Sequence, residues 1–356
     1  MKDYQKMFDD LLRVVQREGA SDLHISPGRR PILRIYQELT PLMYKEVVTP
    51  DDSFGIAKLV LRQDEIDSVM KMKEVDFSVA APNNVRLRGT AFIRARKIQL
   101  NFRVVEGVRG MDELGLPTKA LQSVISARQG LFLIVGPVGH GKSTTMAAIV
   151  DKINETRNEH IVTIENPIEH VFTDKNSMVD QREVGRDTFS FSSGLKATLR
   201  QDVNVIVVGE MRHRDTIATG VTAAETGHLV LSTLHTNSAA QTIDRIIDTF
   251  PPDQQDQVRV QLASSLLGVF SQKLIPSLRG GVIPAYELMF NNNAVSTLIR
   301  ERRTHEINNM IETNFDEGMI TLNRSLADLI SRGHITVEDA YKYSQYPEDL
   351  NALVGQ

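Results

Sequence analysis

Apolar positions along this chain change their spacing twice, and each change marks a structural boundary. Met7, Phe8, Leu11, Leu12, Val14 and Val15 recur at helical spacing and predict a helix that stops at Gly19. Ser21–Ser26 and Ile32–Tyr36 alternate like strands about a Pro27-Gly28 turn. Thr49-Pro50-Asp51-Asp52 is a helix start, and two short helices are expected over 51–62 and 63–73. Val75–Val79 reads as a strand, Pro82-Asn83-Asn84 as a turn, and Val85–Val105 as one or two further strands. Residues 1–105 are thus an α+β domain, and the polar, glycine-containing stretch 106–115 is a linker.

The pattern then becomes solid. Pro117 opens a helix through about Arg128. Leu131–Val135, Ile161–Ile164, Val205–Val208 and Leu229–Leu234 are mainly apolar runs without alternation, interrupted only by Thr163 and Ser232-Thr233, and separated by helical segments. Such runs predict parallel strands buried on both faces, an α/β domain over 116–290. Helices are expected over Ala239–Thr249 and Asp253–Lys273, a strand over Val282–Leu288, and a helical region over 291–356.

Composition narrows the class. The 356 residues are 41% hydrophobic and 24% charged with a net charge of −4, so nothing draws the chain as a whole to nucleic acid or anionic lipid. It has no Trp for base stacking and no Cys for disulfides or thiolate zinc sites. The start, Met1–Lys6, carries an acid and leads into an amphipathic helix, so no secretory signal is expected. No apolar run nears the roughly 18 residues of a membrane span, so membrane insertion is not expected and a cytoplasmic protein is.

The first apolar run opens onto Gly136-Pro137-Val138-Gly139-His140-Gly141-Lys142-Ser143-Thr144, which has the spacing G-x-x-x-x-G-K-S. Glycines there let successive N–H groups face phosphate oxygens, and the following helix adds its positive end. Lys142 can reach the β- and γ-phosphates, and the Ser143 hydroxyl can ligate Mg²⁺. A chance glycine-rich turn is the bland alternative, and the strand–loop–helix setting disfavours it. ATP and Mg²⁺ are the expected ligands.

Ligands in such sheets sit beyond the carboxyl ends of the strands. One run ends in Glu165 and another in Gly209-Glu210. Alone, each is better read as a helix N-terminus carboxylate or an exposed loop acid. Beside a phosphate loop they become candidates, Glu210 to activate water and Glu165 to organise Mg²⁺ and water. His235 lies at the carboxyl end of its run and His228 at the far end, about 23 Å away if extended. His228 is therefore read as structural, while His235 is open between structural and catalytic roles. Arg200 and Arg212 flank the Glu210 strand, each either a phosphate neutraliser or an ion-pair partner. Arg86, Arg88, Arg94 and Arg96 fall on even positions and would share a face of one unbroken strand, a solvated face or a phosphate-binding one.

Several stretches together carry a family resemblance. They are Glu210-Met211-Arg212, Thr222–His228, Leu234–Asp248, Pro251–Arg259, Ser21–Ile25 and Gly318–Asn323. The chain resembles the secretion-ATPase superfamily, and within it the type IV pilus retraction (twitching-motility) ATPases, over nearly its whole length. The resemblance implies a PAS-like first domain and a RecA-like second domain. It implies a homo-hexameric cytoplasmic ring that hydrolyses ATP to disassemble pili, docked on an inner-membrane pilus platform protein. It places the Walker A loop at Gly136–Ser143, an acidic box at Glu165–Glu169, the Walker B element at Glu210 and a His box at Gly227–His235. Arg94, Arg96 and Arg212 become candidate arginine sensors of the γ-phosphate. Three positions depart from the family pattern: Asn166 replaces an Asp, His213 replaces an Asp, and Val203-Asn204 replaces Pro-Asp. Asn keeps a hydrogen-bonding shape and loses a charge. A pilus-assembly or type II secretion ATPase, and a nucleotide-binding regulator with weak hydrolysis, stay open as alternatives.

Overall fold

Alternation and helical spacing in the first hundred residues become one antiparallel sheet with helices packed on one face. The computed structural model describes residues 2–35, 38–81, 85–105 and 107–355. Helix α1 (Tyr4–Arg17) begins where the Asp3 carboxylate accepts the Lys6 N–H, and the chain turns away at Gly19, φ +61°. Strands β1 (Asp22–Ile25), β2 (Ile32–Ile35) and β3 (Glu38–Pro41) follow. Helix α2 (Pro50–Val60) is opened by a reciprocal Thr49–Asp52 capping box, and α3 (Gln63–Met72) comes after it. Strands β4 (Glu74–Ala81), β5 (Val85–Arg94) and β6 (Lys97–Val105) complete a six-stranded sheet ordered β3-β2-β1-β6-β5-β4. Leu23 and Ile25 of β1, Leu100 and Phe102 of β6 and Phe77 of β4 join Phe8, Leu11, Ile56 and Val69 of the helices in one core. Asp22 of β1 faces the other way, and Arg103 donates to its carboxylate at 3.0 Å.

Val85–Val105 proves to be a hairpin. Arg94 pairs with Lys97, which leaves a loop of Ala95-Arg96 with φ of +49° and +62°. A two-residue turn needs positive φ at both positions to match the strand twist. The shared face expected of Arg86, Arg88, Arg94 and Arg96 is therefore broken, because Arg96 stands in the turn and not on a strand. Strand β3 gave no sequence signal, since all four of its residues are exposed. The expected turn at Pro82-Asn83-Asn84, the strand end at Tyr36 and Glu106 of the linker lie outside the described residues.

The chain divides into two compact units, Met1–Gly107 with Pro167–Val171, and Val108–Asn166 with Phe172–Gln356. Residues 291–356 thus fall in the second unit. It contains α4 (Thr118–Ser126), β7 (Gly130–Val135), α5 (Lys142–Thr156), β8 (His160–Glu165), β9 (Met178–Glu183), α6 (Phe191–Thr198), β10 (Val205–Val208), α7 (Arg214–Glu225) and β11 (Leu229–Leu234). Then come α8 (Ala239–Asp248), α9 (Pro252–Ser265), β12 (Leu266–Pro276), β13 (Val282–Phe290), α10 (Asn293–Arg300), α11 (Ile307–Thr313), α12 (Leu322–Ser331), α13 (Val337–Tyr343) and α14 (Pro347–Val354). The seven-stranded sheet is ordered β13-β12-β7-β11-β10-β8-β9 and is parallel except for β13.

Alternate residues of each central strand feed separate cores, which explains the apolar runs without alternation. Leu131, Leu133 and Val135 of β7 pack with Leu195, Ile217, Ile243 and Leu262 of α6–α9. Phe132 and Ile134 pack instead with Leu121 and Val124 of α4 and Ile149 and Ile153 of α5. The last three helices rest on the far ends of β12 and β13 through Leu322, Leu326, Ile335, Ala340 and Leu350. Two differences from the sequence reading stand out. The helix expected to reach Lys273 ends at Ser265, where Leu266 turns extended (φ −65°, ψ 128°) and starts β12 directly. Strand β9 was not anticipated, because its polar residues Asp180, Gln181 and Arg182 carry no apolar alternation.

Candidate active site

The carboxyl ends of β7, β11, β10 and β8 lie side by side, so four sequence signals that are far apart along the chain share one edge. β7 opens into the loop Gly136–Gly141, and α5 begins at Lys142. Gly136, Gly139 and Gly141 have φ of +143°, +80° and +78°, values a side chain would strain. A Cβ on Gly136 would also fall on the Gln272 carbonyl oxygen. Pro137 is half-buried, while Val138 at the loop tip is 79% exposed. The loop is braced from β12: the Gln272 amide donates to the His140 carbonyl at 2.8 Å, and Thr145 Oγ1 donates to Gln272 Oε1 at 2.6 Å. The Leu274 N–H donates to His140 Nδ1 at 2.9 Å. Burial, then the nearby Lys142 and Lys273 ammonium groups, hold the His140 imidazole below the ordinary histidine value.

Lys142 is buried and donates to the Gly136 and Pro137 carbonyls at 2.8 and 2.7 Å. Its Nζ also lies 3.3 Å from His235 Nδ1. An ammonium has no lone pair, so Nδ1 is the acceptor and the imidazole proton sits on Nε2. That Nε2–H points at Glu210 Oε1, 3.0 Å away. Burial first, then Lys142, push His235 below its usual value; Glu210 pulls it upward and Arg212 downward. Neutral His235 thus links the phosphate-loop lysine to the carboxylate at the end of β10. Arg212 closes the row by donating from Nε to the same Glu210 oxygen. One strand further, Glu165 Oε1 accepts from Thr163 Oγ1 at 2.6 Å and from Gln181 Nε2 of β9 at 3.1 Å.

Ser143 and Thr144 open the first turn of α5. The Ser143 side chain is exposed and its hydroxyl makes no hydrogen bond among the described residues. No group of three His, Asp or Glu side chains suited to holding a metal occurs among the described residues. One hydroxyl at the start of α5 with carboxylates at two neighbouring strand ends is a donor set that fits Mg²⁺, which keeps several waters and binds through one or two protein oxygens plus phosphate. Ser143, with Glu165 and Glu210 through water, would hold it there.

The other candidates are placed elsewhere. Arg200 lies in the turn before β10, where Asp202 and Asn204 bond to His160 at the start of β8. This is the amino edge of the sheet, opposite the phosphate loop, so within this chain Arg200 does not join the row. Its guanidinium, and those of Arg94 and Arg96 in the hairpin, make no hydrogen bond or ion pair among the described residues. His228 sits before β11, away from the row, with Nδ1 3.1 Å from the Ala223 carbonyl oxygen. Asn166 is exposed just past Glu165.

Two polar groups near the site escaped the sequence reading. Gln272 was hidden inside the overextended helix. Glu287 lies in β13, and its only signal is an acid set among Ala285, Leu288 and Met289. The last helices also reach this edge. The Tyr343 ring meets His140 edge-on with centroids 6.3 Å apart, and the Gln345 amide donates to the Asn237 carbonyl at 3.0 Å. No helix among the described residues is long and apolar enough to cross a membrane.

Comparison with known proteins agrees with this geometry. The chain matches the family model "Type II/IV secretion system protein" over residues 3–314. It is 40% identical to the type IV pilus retraction ATPase PilT of Pseudomonas aeruginosa, covering 96% of this chain and 99% of that protein. It is 39% identical to a twitching motility protein of Neisseria gonorrhoeae, covering 90% and 86% of the two chains. Its structure is similar to the crystal structure of the pilus retraction motor PilT with bound ADP, with a TM-score of 0.90, 40% identity and coverage of 97% and 98%. A phosphate loop, a carboxylate at each of two neighbouring strand ends and near-full-length similarity lead to one assignment: the chain belongs to the type II/IV secretion system protein family.

Proposed function

We propose that this chain is a motor ATPase that hydrolyses ATP to drive type IV pilus retraction. The observation that carries the reading is the row Lys142–His235–Glu210 beside the phosphate loop, in a chain similar to PilT over nearly its full length. Backbone N–H groups of the Gly136–Thr144 loop, all but the imide of Pro137, and the Lys142 ammonium bind the phosphates. Mg²⁺, held through Ser143, supplies charge neutralisation on the phosphate oxygens when bound. Glu210 takes the proton of the attacking water, with neutral His235 orienting its carboxylate, and Glu165 orders water at the next strand end. Arg212 sits on Glu210 and is the arginine placed to respond when that carboxylate changes partner. Arg94 and Arg96 are proposed to sense the γ-phosphate across a subunit boundary of a homo-hexamer. The working place is the cytoplasmic face of the inner membrane, on a pilus platform protein.

Steady-state ATP hydrolysis tests the reading. The wild type turns ATP over with Mg²⁺, and Glu210→Gln lowers kcat by about 100-fold or more while nucleotide still binds. Normal turnover by Glu210→Gln would sink that assignment. Deleting the gene separates retraction, which leaves pili extended, from assembly, which leaves the cell bald. Asn166 favours a second reading, a regulator that binds nucleotide without appreciable hydrolysis, and the same assay decides between them.

A further inference from the structure

The turn that carries His235 is fastened at its far end to a buried acid that the row of catalytic contacts does not include. Residues 236–238 join β11 to α8. Thr236 Oγ1 lies 2.7 Å from Thr242 Oγ1, Ser271 Oγ donates to the Asn237 carbonyl at 2.9 Å, and Gln345 donates to the same oxygen. The first N–H of α8, that of Ala239, donates to Glu287 Oε1 at 2.7 Å. Glu287 is 7% exposed and projects from β13 opposite Ser271 of β12. A buried carboxylate is an expensive way to satisfy one helix N–H, since the Ser238 hydroxyl already caps the helix at Gln241.

We propose that Glu287 is a positioning residue for ATP hydrolysis: its carboxylate fixes the first turn of α8 and thereby the place of His235 against Glu210 and Lys142. The proposal rests on the ATPase reading and names a further residue for that same site. An ionised carboxylate makes a shorter, stronger bond to an N–H at a positive helix end than a neutral acid does. His235 stands four residues before Ala239, and small misplacements of an orienting group are costly in rate. Burial pushes Glu287 up to about 7, with the Ala239 N–H and then the Lys273 ammonium pulling it back. Lys273 of β12 is the charged group that acts on it, and that ammonium is itself lowered by burial while it donates to the Tyr343 carbonyl. The tether therefore gains its charge as pH rises through about 7.

The sign for stability is the opposite. A carboxyl raised above its unfolded value binds its proton more tightly when folded. Its contribution is present at low pH and lost as pH climbs from the ordinary Glu value to about 7. One substitution, Glu287→Gln, thus separates positioning from packing. Gln can still accept the Ala239 N–H and cannot ionise.

The test is kcat and KM for ATP from pH 6 to 8.5, with melting temperature, for wild type, Glu287→Gln and Ser271→Ala. The wild-type kcat is expected to rise through pH 7. Glu287→Gln should match it at pH 6, lack the rise and fall about tenfold below it at pH 8, with KM within about twofold. Over the same range the melting temperature of Glu287→Gln should climb relative to wild type. Ser271→Ala loosens the turn without touching a titrating group, so it should lower kcat at every pH and keep the rise. A Glu287→Gln profile that follows wild type overturns the proposal. So does a loss of kcat equal at all pH that tracks a lower melting temperature. A wild type that does not hydrolyse ATP refutes the ATPase reading, and the proposal with it.

Discussion

Gln272 shows how much one neutral side chain can carry at this site. Its amide spans the phosphate loop, with the oxygen on Thr145 of α5 and the nitrogen on the His140 carbonyl. Thr145 is buried, so removing the amide strands its hydroxyl without an acceptor. Gln272→Leu is expected to cost about 1–3 kcal/mol of stability and to weaken nucleotide binding more than it slows hydrolysis. Thermal melts with and without ADP check this, and an unchanged ADP-induced shift would count against the bracing role. Lys142 stood out in the sequence through the glycine loop, and Glu210 and Glu165 became candidates only because that loop lies beside their strand ends. Gln272 and Glu287 did not stand out, because their meaning comes from a neighbour more than a hundred and nearly fifty residues away, respectively, in Thr145 and Ala239.

Elements whose sequence period matched their burial were readable, and those in conflict were not. β7, β8, β10 and β11 are mainly apolar on both faces because both sheet faces are covered, with buried Thr163, Ser232 and Thr233 as the polar members within the runs. The α9–β12 junction misled because nothing marks it. Leu266 carries the change of backbone without glycine or proline, and the apolar residues that follow suit a helix or a buried strand equally. The β5–β6 hairpin is a case of turn chemistry against type. Ala95 and Arg96 occupy positions that call for Asn and Gly, and each pays in strain. Replacing the pair by Asn-Gly should stabilise the first unit by about 1 kcal/mol, seen as a higher melting temperature. If Arg96 senses phosphate on a neighbour, the same change lowers ATPase activity of the assembled protein while it strengthens the fold.

At the scale of the whole molecule, the two units are separate bodies with separate cores. The division after Gly107 falls inside the polar stretch read from the sequence as a linker. Nothing in the sequence marks Pro167–Val171 as part of the first unit, since a short loop segment has no period of its own. Arg94, Arg96 and Arg200 have side chains without protein partners among the described residues. In the proposed hexamer these are the groups left to face another subunit. Specific ATPase activity should therefore fall on dilution, in step with loss of the large species in a mass measurement. Activity that stays constant from the assembled to the single-chain regime would exclude catalytic arginines supplied by a neighbour.

The end of α13 and the residues just after it touch the site twice, through Tyr343 on His140 and Gln345 on Asn237. In a machine that pulls, those two contacts form a load path. In the proposed motor, tension on the last helices is expected to reach the phosphate loop through His140 and the His235 turn through Asn237. The expected outcome is an ATP turnover rate that varies with load in the wild type and varies less in Tyr343→Ala, measured on the assembled protein.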